Sequence, residues 1–261
     1  MRTMTVCMEC QEINGFPNFE SVQATIVPDN GAMHISCNKG HTTLHVLTQP
    51  KHELLSELSI CAIKDGYYRE GVVSFASALE SLYRFYVKVI LLTNGVDSKE
   101  FEKSWSAINL SERQFGAFSI AYLIETGVAY KNLPADQVKF RNKVVHNGQI
   151  PSLDEAIQYC QSAATCALPI IKQLESDKYI KTKTDIISSI SASARNKAES
   201  IGMRISAGGI LTPLSLRPGQ SEINIANYLE EHKNWNVENV VAEIATHATA
   251  LNSLLTPETR D

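Results

Sequence analysis

No stretch of this chain is both long and free of charge. The longest apolar run, Val72–Leu92, is interrupted by Glu80, Arg84 and Lys88, so it does not read as a membrane span. The opening residues, Met1 to Cys10, have neither the basic nor the apolar region of a secretory signal. The expected compartment is the cytoplasm, with no membrane partner. An excess of basic charge is also lacking: 24 Lys and Arg stand against 28 Asp and Glu, a net charge of −4. With a pI of about 6.0, no global field draws the protein to nucleic acid. An RNA-directed activity would therefore need a local patch, and Lys139, Arg141, Lys143 and His146 supply one. Cysteine is sparse as well. Six cysteines at irregular spacing argue against a disulfide framework.

What cysteine there is clusters early. Cys7-Met8-Glu9-Cys10 and Cys37-Asn38-Lys39-Gly40-His41 form a Cys-x2-Cys pair and a Cys-x3-His pair, separated by 26 residues. Zinc takes four soft or borderline ligands in a tetrahedron, and two short-spaced pairs on two knuckles can deliver them. Gly40 suits the tight turn of a knuckle. Alternation over Ser21–Pro28, Ala32–Cys37 and Thr42–Leu47 predicts three short strands, with Pro28-Asp29-Asn30-Gly31 as the first turn. Strands and knuckles together resemble a zinc ribbon over residues 1–48. A segment this small has too little core to fold unaided, so its zinc would be structural. Four protein ligands also leave no open position for a catalytic water. The alternative is a small β-meander with free thiols, and His34 and His45 are substitute ligands. Cys61, Cys160 and Cys166 fall in helical patterns and read as core thiols.

From Pro50 the texture changes to helical spacing. Lys51–Lys64 is broken by Asp65-Gly66, and Tyr67–Leu92 follows as a long apolar helix closed by Asn94-Gly95. Its polar positions Ser77, Glu80, Ser81, Arg84 and Lys88 fall on one stripe. Further helices are predicted over Ser98–Trp105, Ser111–Glu125 and Pro134–His146. Another runs from the Ser152–Glu155 cap to about Asp177, kinked at Pro169. The fold class is mainly α, an up-and-down bundle over residues 50–177. Residues 178–261 read as a mostly helical extension of unknown role. In it, 178–200 is a linker passing into a helix, Gly208-Gly209 a turn rather than a phosphate cradle, and Ile210–Arg217 a short strand or hairpin arm up to Pro218-Gly219. Ile223–Glu231 and Val237–Leu254 are helical. The second carries a stripe of Val237, Val241, Ile244, Ala248, Leu251 and Leu255, suited to the bundle or to a partner chain.

One stretch bears chemistry. Phe140-Arg141-Asn142-Lys143-Val144-Val145-His146-Asn147-Gly148 closes a predicted helix. Arg is always charged and presents a planar fork of donors to phosphate oxygens. His exchanges its proton most easily near neutral pH. Asn147-Gly148 should end the helix after His146, where the helix dipole favours positive charge. Asn142 and His146 share a face, and Arg141 sits on its edge. Glu80, on the polar stripe of the long helix, either faces this helix or pairs locally with Arg84. The bland reading has His146 capping its helix and Arg141 in a surface ion pair.

An Arg followed by a polar residue, then a His, late in a helical domain resembles the HEPN superfamily of ribonucleases. The run Tyr68-Arg69-Glu70-Gly71-Val72-Val73-Ser74-Phe75-Ala76-Ser77-Ala78-Leu79-Glu80 is similar to the early helices of many bacterial HEPN domains. The likeness covers roughly residues 50–177, about half the chain. It implies an endoribonuclease without a catalytic metal, a toxin or antiviral (phage-defence) effector restrained until triggered, by a regulatory partner protein if one exists. It also implies a homodimer that pairs two motif helices. Arg141, Asn142, His146 and Glu80 would then be the catalytic set and RNA the substrate. The contrasting expectation is a HEPN-like scaffold without activity, binding a partner or nucleotide, with the ribbon as docking surface.

Overall fold

The computed structural model describes residues 1–15, 18–216, 219 and 221–255, with the backbone alone for 249–255. In chain order the elements are β1 (Arg2–Thr5), α1 (Met8–Asn14), β2 (Gln23–Ile26), β3 (Ala32–Ser36) and β4 (Thr42–Leu47). The helices α2 (Lys51–Lys64), α3 (Tyr68–Thr93), α4 (Ser98–Ala107), α5 (Ser111–Thr126), α6 (Ala135–His146), α7 (Leu153–Leu174), α8 (Asp177–Ile190) and α9 (Ala192–Ser200) follow. Last come β5 (Ile205–Gly208), α10 (Ile225–His232) and α11 (Val237–Leu255). The protein is mostly helical with a small sheet region. Among the described residues no helix is long and apolar enough to cross a membrane.

By internal contacts the chain divides into two compact units. One joins Pro50–Ile187 to Leu211–Lys233; the other joins Met1–Gln49 to Ser188–Ile210 and the described residues from Asn234 onward. The residues from 178 on, which read as one extension in the sequence, are shared between them.

The helical unit is organised by α3, a helix of 26 residues that is buried on most of its circumference. Between Phe75 and Ile90 its only positions outside the core are Ser77, Glu80, Ser81, Arg84 and Lys88, the polar stripe read from the sequence. Around it lie α2, α4, α5, α6 and α7. Phe75, Leu82, Tyr86, Phe118, Tyr159 and Ile170 are fully buried in one continuous core. Aromatic rings fill the space between α3 and α5, with Tyr83 stacked on Phe118 at 4.3 Å. The predicted capping box of α7 is present: Ser152 Oγ accepts from Glu155 N, and Glu155 Oε2 accepts from Ser152 N.

Two expectations for the later chain are corrected. Residues 178–200 are helical as expected at their end, but no linker precedes: the helices α8 and α9 fill the stretch, interrupted at Ser191. Over Ile210–Leu216 there is no strand; Arg217 and Pro218 lie outside the described residues. The reason is visible at α2. Leu214 N donates to Ser56 Oγ and Leu216 N to Glu53 Oε1, so side-chain acceptors take the place of a neighbouring strand.

In the other unit β1 and β2 pair antiparallel, while β3, β4 and β5 form a second sheet. The β5 strand lies parallel to β4, with Leu44 opposite Ile205. Gly208, expected in a turn, therefore ends a strand. The predicted turn before β3 exists, with Gly31 N donating to Pro28 O, but β2 pairs with β1 and not with β3. Leu44, Val46 and Ala198 form the small core. The stripe of α11 lies against β1 and β2. Val237, Val241 and Ile244 are half-buried and Ala248 buried, whereas the side chains of Leu251 and Leu255 lie outside the described residues.

Two features of the helical unit have measurable consequences. A glycine inside a helix ordinarily gains about 1 kcal/mol when changed to alanine. At Gly71 an added Cβ would instead collide with Ile63 Cγ1 and meet the Ser59 carbonyl at 3.3 Å. Overpacking of this kind costs about 1–3 kcal/mol, so Gly71→Ala should destabilise in urea unfolding despite its helix propensity. His52 is fully buried beside Phe85, and among the described residues neither ring nitrogen has a partner. Burial pushes it down from the usual 6.5 to about 3. The unfolded chain then binds this proton first, so stability present above pH 6.5 is lost as pH falls towards 3. His52→Leu should gain about 1–3 kcal/mol at neutral pH by removing the unpaired nitrogens. Unfolding midpoints between pH 7.5 and 5.5 should fall less for the variant than for the parent; equal slopes would refute the assignment.

Candidate functional site

The metal-ligand candidates converge. Cys7, Cys10, Cys37 and His41 each offer one ligand atom, and all four atoms lie within 4.8 Å of one another, close enough to hold a metal ion. Local structure explains how. Cys7 is the N-cap of α1, its N–H donating to Ser21 Oγ at 3.1 Å, and Cys10 lies in the first turn of the helix. The first pair therefore sits on a helix start rather than on a β knuckle. The second pair closes the β3–β4 hairpin: continuing the register that sets Ser36 opposite Thr42, Cys37 faces His41. Cys37 N donates to His41 O at 3.1 Å and Gly40 N to Cys37 O at 3.0 Å. Gly40 takes the positive φ of 81° that this turn requires.

The separations test the fit. Thiolate bonds of about 2.3 Å and imidazole bonds of about 2.0–2.1 Å, at tetrahedral angles, set S···S near 3.8 Å and S···N near 3.6 Å. Cys10 Sγ is 3.8 Å from Cys37 Sγ, and His41 Nδ1 is 3.3 Å from Cys10 Sγ and 3.9 Å from Cys7 Sγ. Burial pushes the Cys10 thiol up to about 12, and the neighbouring Cys37 and Cys7 add to it. Burial also pushes Cys37 up, but the backbone amides of Lys39 and His41 outweigh it and hold the thiol below its usual value. The buried Cys10 thiol resists ionisation unless a cation is bound beside it, which is the chemistry of a metal cage. The substitute ligands fall elsewhere. His34 is exposed, and His45 Nδ1 lies 2.8 Å from Ser206 Oγ. Cys160 and Cys166 are buried and Cys61 half-buried in the helical unit.

The second candidate is on α6. Arg141 is half-buried and reaches back to α3, where Nη2 donates to Glu80 Oε1 at 3.0 Å. Its Nη1 donates to Asn142 Oδ1 at 3.1 Å. The local alternative for Glu80 is not the one adopted, because Arg84 pairs with Glu102, which also receives Lys88. Tyr159 of α7 stands beside the same guanidinium; burial pushes its phenol up, and the charge of Arg141 works against that. Nothing in the sequence singled out Tyr159, since only the packing of α7 brings it to Arg141. Ser21, which fixes the Cys7 amide, was equally silent.

His146 is the last residue of α6 and is exposed, as is Asn142 one turn earlier. Among the described residues the His146 ring makes no hydrogen bond or ion pair, so it does not cap its helix through the side chain. At about 100° per residue, Asn142 and His146 differ by about 40° round the helix, and Arg141 and His146 by about 140°. The structure thus joins Glu80, Arg141 and Asn142, and leaves His146 on the solvent side with Asn142. Lys139 and Lys143 are exposed on the same helix, whose one acidic residue is Asp136. Compared with known proteins, the chain matches no family model, no curated protein and no solved structure.

Proposed function

We propose that the helical unit is a HEPN-type endoribonuclease whose chemistry is done by Arg141 and His146 without a catalytic metal. The observation that carries the reading is the contact of Arg141 with Glu80 across two helices, on the same helix as an unpartnered, exposed His146 at its end. A guanidinium and a free imidazole, each carried by a basic helix, are the equipment for phosphodiester cleavage when two such helices are paired. Arg141 neutralises charge building on the phosphate. His146 takes the proton of the 2′-hydroxyl or gives one to the departing 5′-oxygen. Asn142 orients the imidazole or a phosphate oxygen. Attack of the 2′-oxygen on phosphorus breaks the bond to the 5′-oxygen and leaves a 2′,3′-cyclic phosphate, which water opens to a 3′-phosphate.

In this reading the active form is a homodimer that brings two α6 helices together. The biological role is that of a cytoplasmic bacterial toxin or phage-defence effector, held in check by a regulatory partner. We further propose that the ion held by Cys7, Cys10, Cys37 and His41 is zinc, bound through three sulfurs and Nδ1. Such a site, with all four positions taken by protein, supplies folding free energy and no open coordination position.

The metal and the chemistry are tested separately. The protein purified without chelator should contain about one zinc per chain, and Cys10→Ser should lose it. That variant should become protease-sensitive in residues 1–48 while the helical unit stays resistant. Metal should also be released as pH falls, because each thiolate must take up a proton to leave. Metal analysis that finds no zinc refutes the assignment. For the chemistry, His146→Ala and Arg141→Ala should each reduce cleavage of labelled RNA by about 10²–10⁴-fold with little change in melting temperature. Arg141→Lys should rescue poorly, since a point charge does not reproduce the planar fork. Cleavage should survive a short exposure to chelator. Should His146→Ala cleave as the parent does, the ribonuclease reading falls and a scaffold that binds a partner or nucleotide takes its place.

A further inference from the structure

The guanidinium proposed to hold the scissile phosphate already holds an anion. Arg141 Nη2 donates to Glu80 Oε1 at 3.0 Å, while Nη1 is turned to Asn142 Oδ1 at 3.1 Å. A carboxylate and a phosphodiester present the same kind of acceptor to this fork, so they compete for the same donors. Glu80 is well placed to do so. It stands midway along α3, between the buried Leu79 and Leu82, so its backbone does not move away. Its neighbour on the stripe, Arg84, is engaged by Glu102 and gives Glu80 no other partner.

The contact is also open to challenge. The side chains of Arg141 and Glu80 keep 24% and 41% of their exposure, so a dissolved anion can reach the pair. A half-exposed pair of single charges is weak and screened by salt, unlike a sealed internal bridge. Resting on the assignment of Arg141 as phosphate clamp, we propose that Glu80 is a resident competitor on that clamp, which a phosphodiester must displace to bind. The site is then held shut by a charge of the chain's own, in a protein whose net charge of −4 gives RNA no general attraction.

Glu80→Gln separates this role from simple positioning, since the amide can still accept from Arg141 but carries no charge. The probe is a short 2′-O-methyl oligouridylate, which has the phosphates of RNA and no hydroxyl to attack. At low salt the variant should bind it several-fold more tightly than the parent, and the gain should shrink as salt is raised. The added substitution Arg141→Ala should abolish the gain. Equal or weaker binding by Glu80→Gln, or no binding by either protein, overturns the proposal. The two readings fail separately. Tighter binding by Glu80→Gln without cleavage of ordinary RNA by any form leaves the competitor standing and removes the ribonuclease. Loss of cleavage in His146→Ala with no tightening in Glu80→Gln does the reverse.

Discussion

Burial of α3 is the constraint on which the helical unit depends. A helix that is apolar on nearly every side must be enclosed, and five other helices do this. The close approach of α2 at Gly71 belongs to that enclosure, as does the aromatic fill against α5. Enclosure leaves a single narrow stripe for polar groups, and that stripe decides where interhelical charge contacts form. Glu80 meets α6 there, and Arg84 and Lys88 meet α4. The candidate chemistry of α6 is therefore hung on the one line of α3 that the core does not occupy.

The smaller unit solves the opposite problem. Its largest apolar cluster joins Leu44, Val46 and Ala198, with Met33, Ile35 and Leu47 also buried, a small core for so many residues. Cover is added by pieces distant in sequence: β5 extends the sheet beside β4, α9 lies against both, and α11 covers β1 and β2. Ion pairs of Arg204 with Glu9 and Glu12 tie the β5 end to α1. A metal ion at the Cys-His cluster would link α1 to the β3–β4 hairpin.

What the sequence made legible was whatever local periodicity or short spacing encodes. The α3 stripe, the Ser152–Glu155 cap and the four converging ligands were all readable, because each rests on residues a few positions apart or on a familiar ligand pattern. Long-range pairing was not readable. The strand Ile205–Gly208 earns its conformation from β4, some 160 positions earlier, while the more strand-like Ile210–Leu216 finds its acceptors in α2 side chains. The linker expected at the start of residues 178–200 was misread for a related reason. Their Ser, Thr and Lys content suggests a linker, yet Tyr179 and Ile186 are buried in helical packing that local propensity does not announce. The turn to Glu80 was left open between two partners, and packing alone chose Arg141 over Arg84.

Geometry places a demand on the proposed chemistry. Cleavage by the 2′-hydroxyl confines clamp and proton carrier to the reach of one nucleotide, because only close, oriented groups act in the same step. On a single α6, Arg141 and His146 diverge by about 140°, with Arg141 drawn to α3 and α7 and His146 left in solvent. Side chains on a helix also lean towards its N-terminus, which tilts the His146 ring back along the face of Asn142 rather than round to Arg141. If cleavage is the activity, the imidazole that serves a given Arg141 comes most directly from a second α6. A single phosphodiester could then lie between the Arg141 edge of one helix and the Asn142–His146 face of the other.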